Sequence, residues 1–381
     1  MKTSIQQTFS VPFKYTVHFS ENIFDNSNPL FAKVVSRLQP KVFFVVDQEV
    51  ITKHPGLLDN IINYAAAHKG DFILCADPLV VPGGEEVKNT TEYIEQILDA
   101  SNAFGIDRHS FIVAIGGGAV LDMAGFATAI AHRGIRPIRI PTTVLAQNDS
   151  GIGVKNSINA YEKKNFLGTF APPFAVINDS TFLHTLDDRD WRSGISEAVK
   201  VALIKDASFF EWMEANVTEL ATREMPPMEK LIYRCAQMHM EHIAGGDPFE
   251  IGSSRPLDFG HWAAHKLEQL TNYKLRHGES VAIGISLDAT YSYLKGMISL
   301  EDLHRIISLF KKLGFTIHIP ELSGDNLLKG LGEFREHLGG ELTIMLLGDI
   351  GRGVEVHEMD TDLILIAAEK LRSFEEETFS V

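Results

Sequence analysis

The stretch "SFIVAIGGGAVLDMAGFATAIAHRG" (residues 110–134) joins an apolar segment to a helical pattern through three consecutive glycines. The apolar segment predicts a buried strand, and the pattern that follows the glycines predicts a helix. A simple strand-to-helix turn needs one glycine or two. Gly116, Gly117 and Gly118 therefore favour a turn that lets a phosphate approach the backbone at a helix N-terminus. The spacing is not G-x-G-x-x-G, so the common dinucleotide fingerprint is absent.

Similar strand and helix patterns surround this stretch. Buried strands are predicted at 41–48, 72–78 and 137–144, and helices at 56–70 and 89–105. Alternation of this kind is typical of a Rossmann-like α/β domain with a mostly parallel sheet.

The pattern changes after residue 178, and from Gly194 onward long helical patterns dominate. The chain has 381 residues, which is too many for one ordinary core. We therefore predict an α/β domain over 1–178 and a mainly α-helical domain over 179–381.

The composition argues against some classes of binding partner. The formal net charge is −15, which argues against a large nucleic-acid footprint or attachment to anionic lipid. Neither a signal peptide nor a membrane span is predicted. The two cysteines, Cys75 and Cys235, are far apart in apolar surroundings and fit buried thiols of a reducing compartment. The expectation is a cytoplasmic protein with no nucleic-acid or membrane partner.

Asp47 ends the first predicted strand. An acid at that place in a nucleotide-binding fold suits the hydroxyls of a ribose. Taken alone, Asp47 is equally well explained as a turn residue.

A long polar stretch, residues 141–168, is predicted to be a loop. Loops of that length in compact proteins are usually functional or disordered. A single lysine there is normally a solvated surface charge, whereas several polar groups together suit a phosphate of the substrate. The candidates are Arg133, just before the stretch, and Asp149, Lys155, Lys164 and Asn165 within it.

Histidines and a carboxylate suggest a metal site. In "LDFGHWAAHKLE" (257–268), His261 and His265 lie four apart and hence on one helix face, and His277 follows. Glu197 lies on an earlier helix pattern, with Lys200 on the same face. Two histidines and a carboxylate suit zinc or a similar divalent ion with one open position. The spacing leaves open which histidines ligate, and His265 could instead transfer a proton.

These motifs, taken together and in order, resemble those of the sugar phosphate cyclases, the family of 3-dehydroquinate synthase. The resemblance covers most of the chain. It is carried by "PGGEEVKN", "GGGAVLDMAGFATAIAHRG", "PTTVLAQNDSGIGVK", "KKNFLGTF", "SEAVKVALIKD" and "DFGHWAAHKLE" with the later "HGE". The resemblance implies an NAD-binding α/β domain over 1–178, followed by a helical domain over 179–381 that binds metal and substrate.

The resemblance implies roles for individual residues. It implies Zn2+ or Co2+ on Glu197, His261 and His277, and His265 near the substrate. Because the matching arginine reaches the neighbouring subunit's site in this family, Arg133 implies a homodimer. Substrate-pocket or catalytic positions are matched by Arg133, Asp149, Lys155, Asn165, Lys200, Glu250 and Asp258. Positions around NAD are matched by Asp47, Glu85, Lys88, Gly116, Gly117, Gly118, Asp122, Thr142, Thr143, Asp149, Lys155, Lys164 and Thr185.

The chemistry that the resemblance implies is redox-neutral. A phosphorylated sugar is transiently oxidised, loses phosphate, is reduced again and closes to a carbocycle. The enzyme class is a phosphate-eliminating lyase that depends on NAD and a divalent metal.

Departures from the family pattern bear on the substrate. Asp258 stands where 3-dehydroquinate synthase has asparagine, and Ser254 where it has a carboxylate-binding arginine, with Arg255 one residue later. An expected lysine is replaced by Met240, beside His239, and an expected Lys-Lys pair by "REHLGGEL" (335–342), with Arg335 and His337. An added acid and lost cations suit a sugar without a carboxylate.

We therefore expect a sedoheptulose 7-phosphate cyclase, and the retained His265 favours the 2-epi-valiolone synthase type. The alternatives are 3-dehydroquinate synthase itself, a metal-dependent NAD alcohol or glycerol dehydrogenase, and a non-catalytic descendant of the family.

Overall fold

The computed structural model describes residues 4–36, 38–161, 163–245, 247–249, 256–337 and 342–376. The chain forms two compact units. Unit 1 comprises Met1–Pro141 and Val154–Asp179, and unit 2 comprises Thr142–Gly153 and Ser180–Val381. The segment between Pro141 and Val154 thus groups with unit 2. The predicted single boundary after residue 178 had assigned this segment to the first domain.

Unit 1 is built on a seven-stranded, fully parallel sheet. The strand order is β1-β9-β6-β5-β2-β3, and β4 also pairs with β2. Two further strands, β7 and β8, form a separate antiparallel hairpin. The strands are β1 (Thr16–Ser20), β2 (Lys41–Asp47), β3 (Ile73–Leu74), β4 (Leu79–Val81), β5 (Phe111–Gly116), β6 (Arg136–Pro141), β7 (Lys155–Ala160), β8 (Lys163–Phe170) and β9 (Ala175–Asp179). The helices are α1 (Leu30–Val35), α2 (Gln48–Lys53), α3 (Leu57–Ala67), α4 (Glu92–Ala103) and α5 (Gly118–Ile130).

The stretch 110–134 folds as predicted into β5, a glycine turn and α5. All six residues of β5 are buried, because parallel strands at the centre of a sheet are covered on both faces. Gly117 caps α5, and α5 begins at Gly118. The backbone N–H groups of the turn therefore lie at a helix N-terminus, where anions are favoured.

The prediction of a loop over 141–168 is wrong. Residues Ala146–Ser150 form a π-helical turn, and β7 and β8 occupy most of the rest. Two polar residues of β7, Asn156 and Ser157, are buried and find hydrogen-bond partners inside unit 1.

Unit 2 is mainly helical, as predicted, with one antiparallel pair of strands in addition, β10 (Ile344–Asp349) and β11 (Arg352–Val356). Among the described residues, no helix has the length and apolar character that crossing a membrane requires. The helices are α6 (Asp188–Lys205), α7 (Ala207–Ala215), α8 (Val217–Ala221), α9 (Met225–Ala244), α10 (His261–Leu270), α11 (His277–Leu294), α12 (Leu300–Lys312), α13 (Asp325–His337) and α14 (Thr361–Glu376).

Two glycines bring three helices of unit 2 close together. A Cβ on Gly278 of α11 would overlap the backbone of Ser193 on α6, and a Cβ on Gly284 would overlap the carbonyl oxygen of Gly260, just before α10. Only glycine permits this approach of backbones. Helices α6, α10 and α11 are the ones that carry Glu197, His261 and His277.

Replacing Gly284 with alanine is expected to destabilise the protein by about 1–3 kcal/mol, because the added methyl group overpacks a backbone contact. Chemical denaturation measures the change. Gly332→Ala in α13 is the matched control, since nothing lies within 4 Å of a Cβ built there. Equal stability of the two variants would contradict the close α10–α11 contact.

Candidate metal and substrate site

Glu197, His261 and His277 form a compact cluster in unit 2. Their ligand atoms all lie within 4.8 Å of one another. The Nε2 atoms of His277 and His261 are 3.3 Å and 3.5 Å from the same atom, Oε1 of Glu197. His261 and His277 are the first residues of α10 and α11, so the N-termini of two helices converge on one carboxylate.

The other ring nitrogen of each histidine is held by a further group. Nδ1 of His261 lies 3.2 Å from the carbonyl oxygen of Phe259, and Nδ1 of His277 lies 2.7 Å from Oε1 of Glu268. Metal-binding histidines are normally oriented in this way, because a proton held on Nδ1 leaves the Nε2 lone pair for the ion. Both carboxylate oxygens of Glu197 are buried without a well-formed hydrogen bond. The cluster therefore fits a divalent metal.

Glu197 and Lys200 each stabilise the charged form of the other. Burial by itself would raise the pKa of Glu197, but Lys200 and His261 outweigh it and hold the pKa well below its ordinary value. Lys200 forms an ion pair with Glu197. Burial would lower the pKa of Lys200, yet the charges of Glu197 and Asp149 raise it. Glu197 is thus anionic, as a metal ligand must be, and Lys200 stays a buried cation beside it.

A second polar cluster lies in unit 1. Lys88 is 2% exposed, and its ammonium group donates to Asp122 at 2.8 Å, to Ser157 at 3.2 Å and to the side-chain oxygen of Asn165. Nearby, Asn159 donates to Glu85 at 3.0 Å and accepts from the backbone N–H of Asn165 at 2.8 Å. The structure thus brings together four residues that sequence analysis selected, namely Glu85, Lys88, Asp122 and Asn165.

Asp47 lies at the glycine turn. It caps α2 by accepting from the backbone N–H of Glu49 at 2.9 Å, and it also accepts a hydrogen bond from Gly117. A Cβ on Gly83 would collide with its carboxylate. Burial raises the pKa of Asp47. The carboxylate therefore has a turn role, and its predicted contact with a ribose stays a prediction.

Two family models match the chain in succession. The model described as 3-dehydroquinate synthase N-terminal matches residues 78–193, and the one described as 3-dehydroquinate synthase C-terminal matches residues 194–333. The chain belongs to the 3-dehydroquinate synthase family. It is a sugar phosphate cyclase in the broad sense, an enzyme of a superfamily whose members eliminate phosphate.

Known proteins similar to the chain carry different names. A 3-dehydroquinate synthase from Nitrosospira multiformis is 39% identical over 276 residues, covering 72% of this chain and 75% of that protein. The structure of 2-epi-5-epi-valiolone synthase from Streptomyces hygroscopicus subsp. jinggangensis, with NAD+ and Zn2+ bound, superposes with a TM-score of 0.87 at 28% identity. The superposition covers 97% of this chain and 99% of the synthase chain. A 2-deoxy-scyllo-inosose synthase with carbaglucose-6-phosphate, NAD+ and Co2+ superposes with a TM-score of 0.74 at 25% identity, covering 94% and 96%.

His265 lies beside the cluster of this sugar phosphate cyclase. Its ring centre is 5.5 Å from that of His261 and 6.1 Å from that of His277. The converging group of ligand atoms among the described residues contains His261 and His277 but not His265. Its position is compatible with the predicted role of a histidine near the substrate.

His239 has a contact that the sequence motifs did not predict. Nδ1 of this residue, on α9, lies 2.9 Å from Oδ1 of Asp149 in the π-helical turn. Burial would raise the pKa of Asp149, but the hydrogen bond with His239 contributes to a net lowering. Sequence analysis had placed Met240 at the position expected for a lysine. Helical spacing could have indicated its orientation, because His239 lies four residues after the buried Cys235 and hence on the same face of the helix.

Asp258, the residue that bears on the substrate, is half-buried in a short 3-10 helix before α10. Its charge acts on Lys200 and helps to raise the pKa of that lysine. The charge of Asp258 thus acts on the same buried cation that pairs with Glu197.

The other predicted residues are more scattered. Thr142 is buried, Thr143 accepts from the backbone N–H of Ala146 at 3.1 Å, and the Thr185 hydroxyl donates to the carbonyl of Phe182 at 3.3 Å. Glu250, Ser254 and Arg255 lie outside the described residues, as does the side chain of His337. Exposed positions are held by Arg133 after α5, Lys155 on β7, Lys164 on β8 and Arg335 on α13.

Asp288 of α11 is a fully buried acid near the metal ligands. It accepts hydrogen bonds from the backbone of Gly260 at 3.0 Å and from Nε1 of Trp262 at 2.9 Å, the residues on either side of His261. Burial raises its pKa to about 7, although both hydrogen bonds act in the opposite direction.

Asp288 is expected to make stability depend on pH. Because its pKa is about 7 in the folded protein and ordinarily 3.8, its contribution is complete below pH 4 and is lost as the pH rises through 7. The slope is at most about 1.4 kcal/mol per pH unit. Denaturation of the wild type and of Asp288→Asn between pH 5 and 8 measures the difference. Parallel pH profiles of the two proteins would refute the raised pKa.

Proposed function

We propose that this protein is a sedoheptulose 7-phosphate cyclase of the 2-epi-valiolone synthase type, a homodimer that uses NAD and a zinc or cobalt ion. The observation that carries the substrate assignment is Asp258. This acid acts on Lys200, beside the metal cluster, where 3-dehydroquinate synthase has a neutral amide. The similarity to the structure of a 2-epi-5-epi-valiolone synthase with NAD+ and Zn2+ supports the cofactor and the metal, whereas the retained His265 favours the 2-epi-valiolone type.

Glu197, His261 and His277 would hold the metal. When bound, a divalent ion supplies Lewis-acid stabilisation to oxygen atoms of the substrate. Lys200 contributes a fixed positive charge that stabilises negative charge developing on the substrate. His265 takes up and returns the proton of the alcohol that is oxidised. Asp149, held by His239, accepts a hydrogen bond from a substrate hydroxyl.

NAD would bind to unit 1. Its pyrophosphate suits the backbone N–H groups of Gly117 and Gly118 at the start of α5. Lys88 and Asp122 lie in the second polar cluster, where hydrogen-bonding groups are available to the cofactor. Lys155, Lys164 and Asn165 on the hairpin gather the phosphate of the substrate, and Arg133, exposed after α5, serves the site of the second subunit.

Charge explains the choice of substrate. A carboxylate beside Asp258 would meet a like charge, and such contacts cost several kcal/mol. A hydroxyl group would instead donate a hydrogen bond to Asp258. Sedoheptulose 7-phosphate offers hydroxyl groups and has no carboxylate.

The test gives the purified protein, with NAD and Zn2+ or Co2+, either sedoheptulose 7-phosphate or the carboxylate-bearing phosphorylated precursor of 3-dehydroquinate. Phosphate release is measured, and the cyclic product is identified by NMR. We expect kcat/KM for sedoheptulose 7-phosphate to be higher by about 100-fold or more, since like-charge contacts cost several kcal/mol. Preference for the quinate precursor would establish the alternative, 3-dehydroquinate synthase, which is the name of the 39% identical relative.

Replacing Asp258 with asparagine is expected to lower kcat/KM for sedoheptulose 7-phosphate by about 10–100-fold, because a hydrogen bond to a charged group contributes about 1.5–3 kcal/mol. Steady-state kinetics measure the loss. Asp247→Asn, an acid after α9, is the control. Unchanged kinetics in Asp258→Asn would remove Asp258 from the argument for the substrate.

A further inference from the structure

Arg139 is a buried cation that the proposed function does not use. It lies on β6 in the middle of the parallel sheet of unit 1, between Ile138 and Ile140, and only 1% of its surface is exposed. Its register partners are Ala114 on β5 and Val176 on β9. An arginine at such a position is costly unless its guanidinium finds several hydrogen-bond acceptors.

Two of its acceptors come from the first two residues of β7. Nη2 of Arg139 donates to the carbonyl oxygen of Lys155 at 2.9 Å and to Oδ1 of Asn156 at 2.7 Å. Asn156 in turn donates to the carbonyl of Ala171 at 3.1 Å, directly after the end of β8. A Cβ on Gly125 of α5 would overlap Oδ1 of Asn156, so the side chain is confined from that side as well.

The place of these bonds along the chain is informative. The chain leaves unit 1 after Pro141, two residues beyond Arg139, and returns to it at Val154, one residue before Lys155. Arg139 therefore ties the outgoing strand β6 to the first residues of the incoming strand β7. The planar guanidinium suits this task, because its donors lie in a fixed plane.

We propose that Arg139 is a positioning residue for Lys155: its guanidinium fixes the backbone at the start of β7 and thereby sets where the exposed Lys155 side chain is presented to the phosphorylated substrate. The proposal rests on the role of Lys155 in the proposed function. Arg139 itself is enclosed in the sheet and acts only through the strand that it holds.

The kinetic test combines substitutions. Arg139→Met, Lys155→Ala and the double variant are compared with the wild type in phosphate release from sedoheptulose 7-phosphate. We expect Arg139→Met to raise KM by about tenfold or more with a smaller change in kcat, and Lys155→Ala to have the larger effect. If Arg139 acts through Lys155, the double variant matches Lys155→Ala within about twofold, because coupled residues are not additive. Multiplied losses, or a Lys155→Ala variant with wild-type kinetics, would overturn the proposal.

Amide hydrogen exchange provides a measurement that does not depend on turnover. Arg139→Met is expected to speed exchange in peptides covering residues 154–160 and to leave those covering α11 unchanged. Arg136→Met is the matched control on the same strand, since Arg136 packs over the rings of Phe111 and Phe174. Arg139→Lys is the second variant should Arg139→Met fail to fold. Unchanged exchange at 154–160 would refute the positioning role, whereas a wild type without phosphate release would refute the proposed function alone.

Discussion

Alanine at His261 or His277 is expected to abolish tight metal binding and, with it, turnover. Each histidine directs Nε2 at Oε1 of Glu197, so either substitution removes one of three converging donors. Removing an outer partner of a metal ligand costs about 10–100-fold in affinity, and loss of a ligand exceeds that. Competition with a zinc-sensitive chelator measures the affinity.

His265→Ala is the matched control for this prediction. It removes a histidine whose ring is 5.5 Å from His261 but which stands outside the converging ligand set. We expect this variant to keep the metal affinity of the wild type and to lose turnover by about 10²–10⁴-fold, the usual contribution of a proton-transfer group. Loss of metal from His265→Ala, with retention in His261→Ala, would reverse the assignment of the two residues.

Replacing Lys200 with methionine is expected to lower kcat by about 10²–10³-fold, the usual effect of removing one oriented charge that stabilises a transition state. The side chain is 4% exposed and paired with Glu197, so water has little access to stabilise the charge in its place. Metal affinity is expected to persist, because all three ligands remain. Steady-state phosphate release and metal titration measure the two effects separately.

Lys205→Met, at the end of the same helix α6, controls for a change of lysine to methionine in this part of unit 2. Lys205 contacts Nδ1 of His242 at 3.2 Å and has no contact with the metal cluster among those described. Equal losses in the two variants would show that Lys200 acts through stability and not through its charge at the site.

Much of unit 1 could be predicted because its signals are local. The apolar run before Gly116 and the helical spacing after Gly118 specify β5 and α5 within one short segment. The β7–β8 hairpin gave no such signal. Two of its buried polar residues accept hydrogen bonds from distant parts of the chain: Asn156 from Arg139 on another strand, and Ser157 from Lys88. The strand β7 therefore depends on partners that are distant in sequence.

The candidate site shows the same division. The spacing of His261, His265 and His277 pointed to a metal but could not separate ligands from neighbours. Which atoms converge depends on how α6, α10 and α11 pack, and close contacts at Gly278 and Gly284 govern that packing. The contact of His239 was not predicted because its partner, Asp149, is 90 residues away along the chain, in a turn that only the fold brings beside α9.

A redox-neutral cyclase releases phosphate while NAD is reduced and reoxidised within each turnover. The wild-type protein, loaded with NAD and Zn2+, is given sedoheptulose 7-phosphate while inorganic phosphate and NADH are followed together. The expected result is phosphate release over many turnovers, with NADH never exceeding the concentration of enzyme. Accumulation of NADH in proportion to consumed substrate, without phosphate release, would contradict the claim and identify a dehydrogenase.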